Sequence, residues 1–120
     1  MKFKTTQQGG ATVIHLEGNL MGGPDASTLN NKLHELVDAG KKRVVIDVAD
    51  VEFMNSSGLG MLIGTVSTMK NAGGGLKIAN ASARIMALIK VTKLTGILET
   101  YDTTDAAVES FSVRSPSDKK

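Results

Sequence analysis

Apolar residues along this chain follow two kinds of spacing, one typical of strands and one typical of helices. Residues 12–17 alternate apolar and polar side chains, and residues 44–48 are almost continuously β-branched, so both segments are predicted strands. By contrast, Leu29, Leu33 and Leu36 recur every three or four residues, which predicts a helix with one buried face. Extended over the whole chain, the two spacings predict the element order ββαβαβαβα.

Residues that begin or end helices lie where these spacings change. Proline suits the first helical turn, glycine ends helices, and serine, threonine or asparagine side chains cap the helix start. The predicted boundaries are Pro24 and Gly40 for the first helix, Ser57 and glycines 73–75 for the second, Ser82 and Thr95-Gly96 for the third, and Thr103 or Thr104 for the start of the fourth.

The remaining apolar runs are short. Residues 76–79 and 97–101 are predicted strands, and residues 3–8 are a weaker candidate, joined to the next strand by a turn at Gly9-Gly10. Strands that alternate with helices favour an α/β fold with a mostly parallel central sheet, right-handed crossovers and helices packed on it.

Length and composition indicate one cytoplasmic domain. A chain of 120 residues fits a single core, predicted over residues 1–112, and the polar residues 113–120 are predicted to be a flexible tail. The chain has no cysteine, no apolar region near its start typical of a signal peptide, and no apolar run of about 20 residues. We therefore expect a cytoplasmic location and no membrane contact.

Charge and histidine content argue against several kinds of site. The net charge is +2, and the chain has only three Phe and one Tyr, so direct binding of nucleic acid is not expected. His15 and His34 are the only imidazoles, they lie on different predicted elements, and neither belongs to a ligand motif. No metal and no cofactor are predicted.

The segment Asn55-Ser56-Ser57-Gly58-Leu59-Gly60 is the strongest candidate for function. It lies where a strand leads into a helix, and the unpaired N–H groups there suit a phosphate. Neither serine has the glycine two positions earlier that a nucleophile elbow requires, so catalysis by this chain is not predicted. Either the serines only cap the helix, or one of them is a chemical switch.

Apolar residues near these serines favour a docking surface. Phe53 and Met54 precede the segment, and Met21 lies in the loop after the second strand, where loops are usually polar. The carboxyl ends of parallel strands gather functional loops at one edge of a sheet. Because phosphorylation adds a charge of about −1.5 to −2, it would disrupt an apolar interface there.

The residues of this region resemble the signature of the STAS family of anti-sigma factor antagonists. The resemblance rests chiefly on residues 50–62, with support from residues 16–20, residues 40–48 and the glycine-rich turn before Leu76, and it extends over residues 3–112. It implies a small α/β STAS domain that acts by binding a protein, without catalysis of its own.

The resemblance also implies a partner-switching function. In the family, the unphosphorylated antagonist binds an anti-sigma factor, which is itself a serine-protein kinase, and frees the sigma factor. Phosphorylation blocks this binding and a phosphatase restores it. By this resemblance Ser56 is the acceptor, with Ser57 as the alternative.

The same resemblance suggests a partner-binding face. Its predicted members are Asn19, Met21, Met54, Asn55, Ser57, Gly58 and Leu59. Two of them depart from the family pattern, since Asn55 stands where Asp is common and Met21 where an acidic residue is frequent. Asparagine keeps the capping and turn chemistry but removes a charge that a kinase could recognise.

Two alternatives of other classes stay open. One is a scaffold STAS domain that is not phosphorylated, and the other is a module that binds a small anion or nucleotide at the helix start. The sequence leaves the oligomeric state and the identity of the partner open.

Overall fold

The computed structural model describes residues 2–93 and 96–112, and over them the predicted α/β order ββαβαβαβα is confirmed. The strands and helices are β1 (Lys2–Gln8), β2 (Ala11–Leu20), α1 (Pro24–Asp38), β3 (Arg43–Met54), α2 (Ser56–Asn71), β4 (Gly75–Ala79), α3 (Ala83–Val91), β5 (Thr100–Tyr101) and α4 (Thr104–Ser112). No described helix has the length and apolar character needed to cross a bilayer. The predicted tail at 113–120 lies outside the described residues.

The five strands form one sheet in the spatial order β1-β2-β3-β4-β5. β1 pairs antiparallel with β2, and the other three pairings are parallel. Ile14, Ile46 and Ile78 occupy aligned positions on β2, β3 and β4, so the β-branched runs of the sequence stack into the middle of the sheet. The predicted mostly parallel sheet is therefore confirmed.

The helices lie on both faces of the sheet. The larger apolar core joins the sheet to α1, α2 and α3, and the smaller one joins the opposite face of the sheet to α4. The smaller core consists of Ala11, Val13, Val45, Ala79, Ala107 and Val108. One short helix covers this second face, and a cluster of hydrogen-bonded polar side chains, described below, lies beside the smaller core.

The last strand is shorter than the sequence predicts. Residues 97–101 are a predicted strand, but only Thr100 and Tyr101 form β5, opposite Ile78 and Ala79. In this parallel register residues 97–99 would lie opposite residues 75–77 of β4, but residues 96–98 form a turn and a bend instead of extended backbone, so only the end of the predicted strand pairs. The third helix ends at Val91, and Thr95 of its predicted stop lies outside the described residues.

Candidate functional site

The serine loop, residues 54–58, lies where β2 and β3 end side by side. Leu20 and Met54 are aligned, and the Asn55 N–H donates a hydrogen bond to the Leu20 carbonyl over 3.3 Å. The Asn55 side chain then accepts a hydrogen bond from the Gly58 N–H at 2.8 Å, which makes it the N-cap of α2. The cap of α2 is thus the Asn55 side chain and not a serine hydroxyl.

Gly58 holds the end of β2 against the first turn of α2. A side-chain Cβ at Gly58 would overlap the carbonyl oxygen of Leu20, so only glycine allows the approach. On the next loop, Gly22 has φ 84°, and a Cβ there would lie 3.1 Å from the Cβ of Ser57. The β2–α1 loop therefore touches the first turn of α2 on both sides of Met21, through Leu20 and through Gly22.

The two serines are the first residues of α2, and both are exposed. The first turn of α2 contains no acidic residue, so the partial positive charge of this helix end is not neutralised within the turn. Among the described residues, neither hydroxyl takes part in a hydrogen bond. The backbone of the serine loop is thus fixed, while its hydroxyl groups remain available to another molecule.

The predicted partner-binding residues divide into a surface group and a buried group. Asn19, Met21 and Ser57 are exposed and Asn55 is half-buried, whereas Met54, Gly58 and Leu59 are buried. Met54 is 6% exposed and Leu59 is 2% exposed, because both point into the larger core. These two support the loop from beneath, so direct contact with a partner is expected from the exposed members.

A polar groove of about 430 Å³ runs from Ser57 between α1 and α2. Glycines and residues with hydroxyl or amide groups line it, so its walls carry few bulky side chains and many possible hydrogen-bond partners. Among them are Gly22, Ser27, Asn30, Gly60, Gly64 and Thr68. The groove therefore offers room for a small ligand next to Ser57.

A second polar cluster, which we term the sheet network, lies on the face covered by α4. Asp47 accepts hydrogen bonds from the His15 ring (2.8 Å), the Ala49 N–H (2.9 Å) and the Asn80 amide (2.8 Å). The other ring nitrogen of His15 lies within hydrogen-bond distance of the Thr6 hydroxyl, at 3.0 Å, and the Asn80 amide also donates to Thr104 at 3.0 Å. The network therefore links β1, β2, β3, the residue after β4 and the start of α4.

The sheet network determines the charge state of Asp47. Burial raises the pKa of this carboxyl group, but the hydrogen bonds from Asn80, Ala49 and His15 outweigh burial and hold the pKa below its ordinary value. The alternation of residues 12–17 places His15 on the polar side of β2, where a surface residue is expected, but His15 is half-buried and bonded to Asp47. The sequence feature that could have indicated this bond is an acidic residue, Asp47, within the apolar run of β3.

His15 serves neither serine, because its two ring nitrogens bond Thr6 and Asp47. His34 is exposed on α1. Over residues 2–93 and 96–112, no group of three His, Cys, Asp or Glu side chains is arranged to hold a metal ion. The serine loop thus has the geometry of a recognition or modification site.

The family profile of the STAS domain matches residues 2–107. The chain belongs to the STAS domain family. The resemblance inferred from residues 50–62 is therefore confirmed. The STAS domain includes the serine loop, the sheet network and the first residues of α4.

Relatives of this STAS domain are named for one kind of regulation. The anti-sigma-B factor antagonist of Bacillus subtilis (strain 168) is 34% identical over 84 residues, which is 70% of this chain and 76% of the relative. Among solved structures, the anti-sigma factor antagonist SpoIIAA in its unphosphorylated form superposes with a TM-score of 0.71 at 19% identity, over 94% of this chain and all of that one.

A second SpoIIAA structure represents another state. The Bacillus cell fate determinant SpoIIAA in its phosphorylated form superposes with a TM-score of 0.67 at 19% identity, covering 92% of this chain and 99% of that one. At these identities the two superpositions establish a shared fold. Anti-sigma factor antagonists of the STAS family are regulatory binding proteins rather than typical enzymes.

Proposed function

We propose that this STAS domain is an anti-sigma factor antagonist whose binding is switched at Ser56. The unphosphorylated form binds an anti-sigma factor and thereby frees a sigma factor, and phosphorylation of Ser56 blocks that binding. The observation that carries the proposal is the first turn of α2, where an exposed hydroxyl without a hydrogen-bond partner in the described residues follows a tightly fixed cap. The name of the Bacillus subtilis relative supports the same function.

The position of Ser56 suits a stable phosphorylated form. A phosphate on the first residue of α2 lies at the positive end of the helix, where anions are stabilised by about 0.3–1 kcal/mol. Asn55 caps this helix without a carboxylate, so the cap itself does not repel the phosphate. The modified chain should therefore stay folded, and the effect of phosphorylation should fall on binding.

Phosphorylation would change the binding surface in two ways. It adds a charge of about −1.5 to −2 to the turn that the Met21 loop approaches through Leu20 and Gly22. Met21 is 48% exposed, and an apolar partner surface on it would have to desolvate that charge. It also adds bulk next to Ser57, which already lies against Gly22. Both effects should lower the affinity of the phosphorylated chain for a partner that binds the unphosphorylated chain.

The chemistry of the switch requires an external kinase. The Ser56 oxygen forms a bond to the γ-phosphorus of ATP, the bond from that phosphorus to the β–γ bridging oxygen breaks, and ADP leaves. The hydroxyl proton passes to a base on the kinase, since the imidazole of His15 is held by Thr6 and Asp47. We propose that a phosphatase restores the hydroxyl and that the pathway operates in the cytoplasm.

The test is intact-mass analysis of the chain after incubation with ATP and the anti-sigma factor kinase of its source cell. We expect one phosphoryl group on the wild type and none on Ser56→Ala. The Ser57→Ala variant is the matched control, because it removes the neighbouring hydroxyl of the same turn, and it should still gain one group.

The affinity of each form for the anti-sigma factor completes the test. The unphosphorylated chain should bind, and the phosphorylated chain should bind at least about tenfold more weakly, since like-charge contacts and buried unpaired charges cost several kcal/mol. Phosphate gain by Ser56→Ala, or its loss in Ser57→Ala alone, would move the acceptor to Ser57. Equal affinity of both forms would favour a scaffold that is not switched.

The groove between α1 and α2 supports a second candidate function, the binding of a small anion or nucleotide. Its lining contains hydroxyl and amide side chains next to Ser57. A rise in Tm with ATP or inorganic phosphate that Ser57→Ala or Asn30→Ala reduces would support ligand binding. No rise at millimolar ligand would leave protein binding as the function of this edge.

A further inference from the structure

An apolar groove of about 300 Å³ lies between the end of β3 and α3, separate from the polar groove beside Ser57. Its lining is almost wholly apolar apart from one side chain, and it consists of Phe53, Met54, Arg84, Ile85, Ala87, Leu88 and Val91. Phe53 is 41% exposed and Val91 is 78% exposed, although both are large apolar residues. Apolar side chains grouped around a concave surface in this way indicate a site for another apolar molecule.

The charges on the α3 wall of this groove have one sign. α3 carries Arg84 and Lys90 and no acidic residue, and Lys93 follows the helix. All three are exposed, and no ion pair involves them in the part of the chain that the structure describes. A bound segment with carboxylates beside its apolar residues would complement this rim.

The apolar groove is continuous with the serine loop. Phe53 and Met54 line the groove, and the next two residues are Asn55, the cap of α2, and Ser56. A protein that covers Ser56 and Met21 therefore reaches the groove with a short extension of the same contact surface. The sequence pattern identified Phe53 but gave no sign that α3 forms the opposite wall.

We propose that this groove binds an acidic amphipathic helix of the anti-sigma factor. The proposal rests on the function proposed above and adds the second half of its binding surface. Apolar side chains three and four residues apart on the partner helix pack on Phe53, Leu88 and Val91, and a carboxylate on the flank of that helix pairs with Arg84.

A second copy of this chain is a poorer occupant. Two-fold packing of α3 on α3 uses the same basic surface twice, so Arg84 or Lys90 of one copy would lie near Arg84 or Lys90 of the other. Such like-charge contacts oppose association, whereas an acidic partner removes them. The charge pattern thus favours a partner of different sequence.

The test measures affinity for the cognate anti-sigma factor by isothermal titration calorimetry. Val91→Ser and Arg84→Glu should each weaken binding by about tenfold or more, because interface anchors of this kind commonly contribute that much. Arg84→Lys, which keeps the charge, should recover part of the loss. Ile97→Ser is the matched control, since Ile97 is also exposed and apolar, at 48%, but does not line the groove.

Circular dichroism and Tm should show each variant folded, because the changed side chains are exposed. Hydrogen–deuterium exchange gives a second measurement, in which residues 83–91 should gain protection in the complex. If the wild type binds and Ser56→Asp blocks binding, but Val91→Ser and Arg84→Glu bind normally, the groove proposal alone is overturned. Absence of wild-type binding overturns both proposals, and wild-type self-association that Val91→Ser abolishes would replace the partner helix with a second copy.

Discussion

The serine loop and the sheet network are both polar clusters on one sheet, but their side chains are used in opposite ways. In the sheet network, the Asp47 carboxylate accepts three hydrogen bonds and both nitrogens of His15 are engaged. In the serine loop, Asn55 alone has a side chain in a hydrogen bond with another described residue, and it bonds the backbone. The hydroxyls of Ser56 and Ser57 are exposed.

This difference separates polar residues that fasten the fold from those available to a partner. The polar groups of the sheet network bond one another and thereby link the strands to α4. Among the described residues, no buried side-chain polar atom lacks a hydrogen-bond partner. In the serine loop, Gly58 and the Asn55 cap fix the backbone without using the hydroxyls. A surface that is already ordered loses little conformational entropy on binding, which favours affinity.

The largest expected effect is that of Gly58→Ala. The added Cβ would overlap the Leu20 carbonyl oxygen, which is backbone and cannot move aside, so either β2 or the start of α2 must shift. We expect a loss of about 3 kcal/mol in the free energy of unfolding, at the upper end of overpacking costs. Urea denaturation followed by circular dichroism measures it.

Gly60→Ala is the matched control for this variant. Gly60 lies two residues further along the same helix, and a Cβ there meets nothing within 4 Å. Alanine should then raise stability by up to about 1 kcal/mol through helix propensity. Equal effects at both positions would mean that the contact between β2 and α2 does not fix the loop.

The next effect concerns the sheet network. Asp47→Ala removes three accepted hydrogen bonds and leaves the Asn80 amide and the Ala49 N–H without this partner, so we expect a loss of about 2 kcal/mol at pH 7. Asp50→Ala is the control, since Asp50 is exposed on the same strand, and it should change stability by less than about 0.5 kcal/mol.

The pH dependence of this loss follows from the lowered pKa of Asp47. The unfolded chain binds a proton at this carboxyl group at a higher pH than the folded chain does. The stabilising contribution is therefore complete above the unfolded pKa of about 3.9 and declines as pH falls toward the folded pKa. The gap in stability between wild type and Asp47→Ala should narrow below about pH 4, and a gap that widens there would contradict the assigned hydrogen bonds.

The sequence predicted the serine loop more fully than the sheet network, for a physical reason. The start of α2 depends on neighbouring residues, so a strand followed by Asn55 and two serines was enough to locate it. The bond between His15 and Asp47 joins residues 32 positions apart and requires the β2–β3 register that places His15 opposite Asp47. The register of two strands separated by a helix cannot be read from alternation alone.

The sequence also could not show which predicted members of the partner-binding face are buried. Phe53 and Met54 are adjacent apolar residues at a strand end, so one must face the core and the other the surface. The sequence assigned Met54 to the partner face, yet Met54 is buried and Phe53 is exposed. Leu59, likewise assigned to that face, turns inward because helical spacing aligns it with Leu62 and Val66.

The smallest expected effect lies within the serine loop itself. Asn55→Ala removes the cap hydrogen bond to the Gly58 N–H and should lower the free energy of unfolding by about 1 kcal/mol. Asn55→Asp keeps an acceptor oxygen and adds a negative charge at the helix start, so it should match or slightly exceed wild-type stability. Ser56→Ala should change it by less than about 0.5 kcal/mol, because that hydroxyl makes no hydrogen bond among the described residues. Urea denaturation of the three variants at pH 7 ranks them. A Ser56→Ala loss as large as that of Asn55→Ala would show that the serine fastens the fold, and the contrast between the two polar clusters would then fail at the residue proposed as the switch.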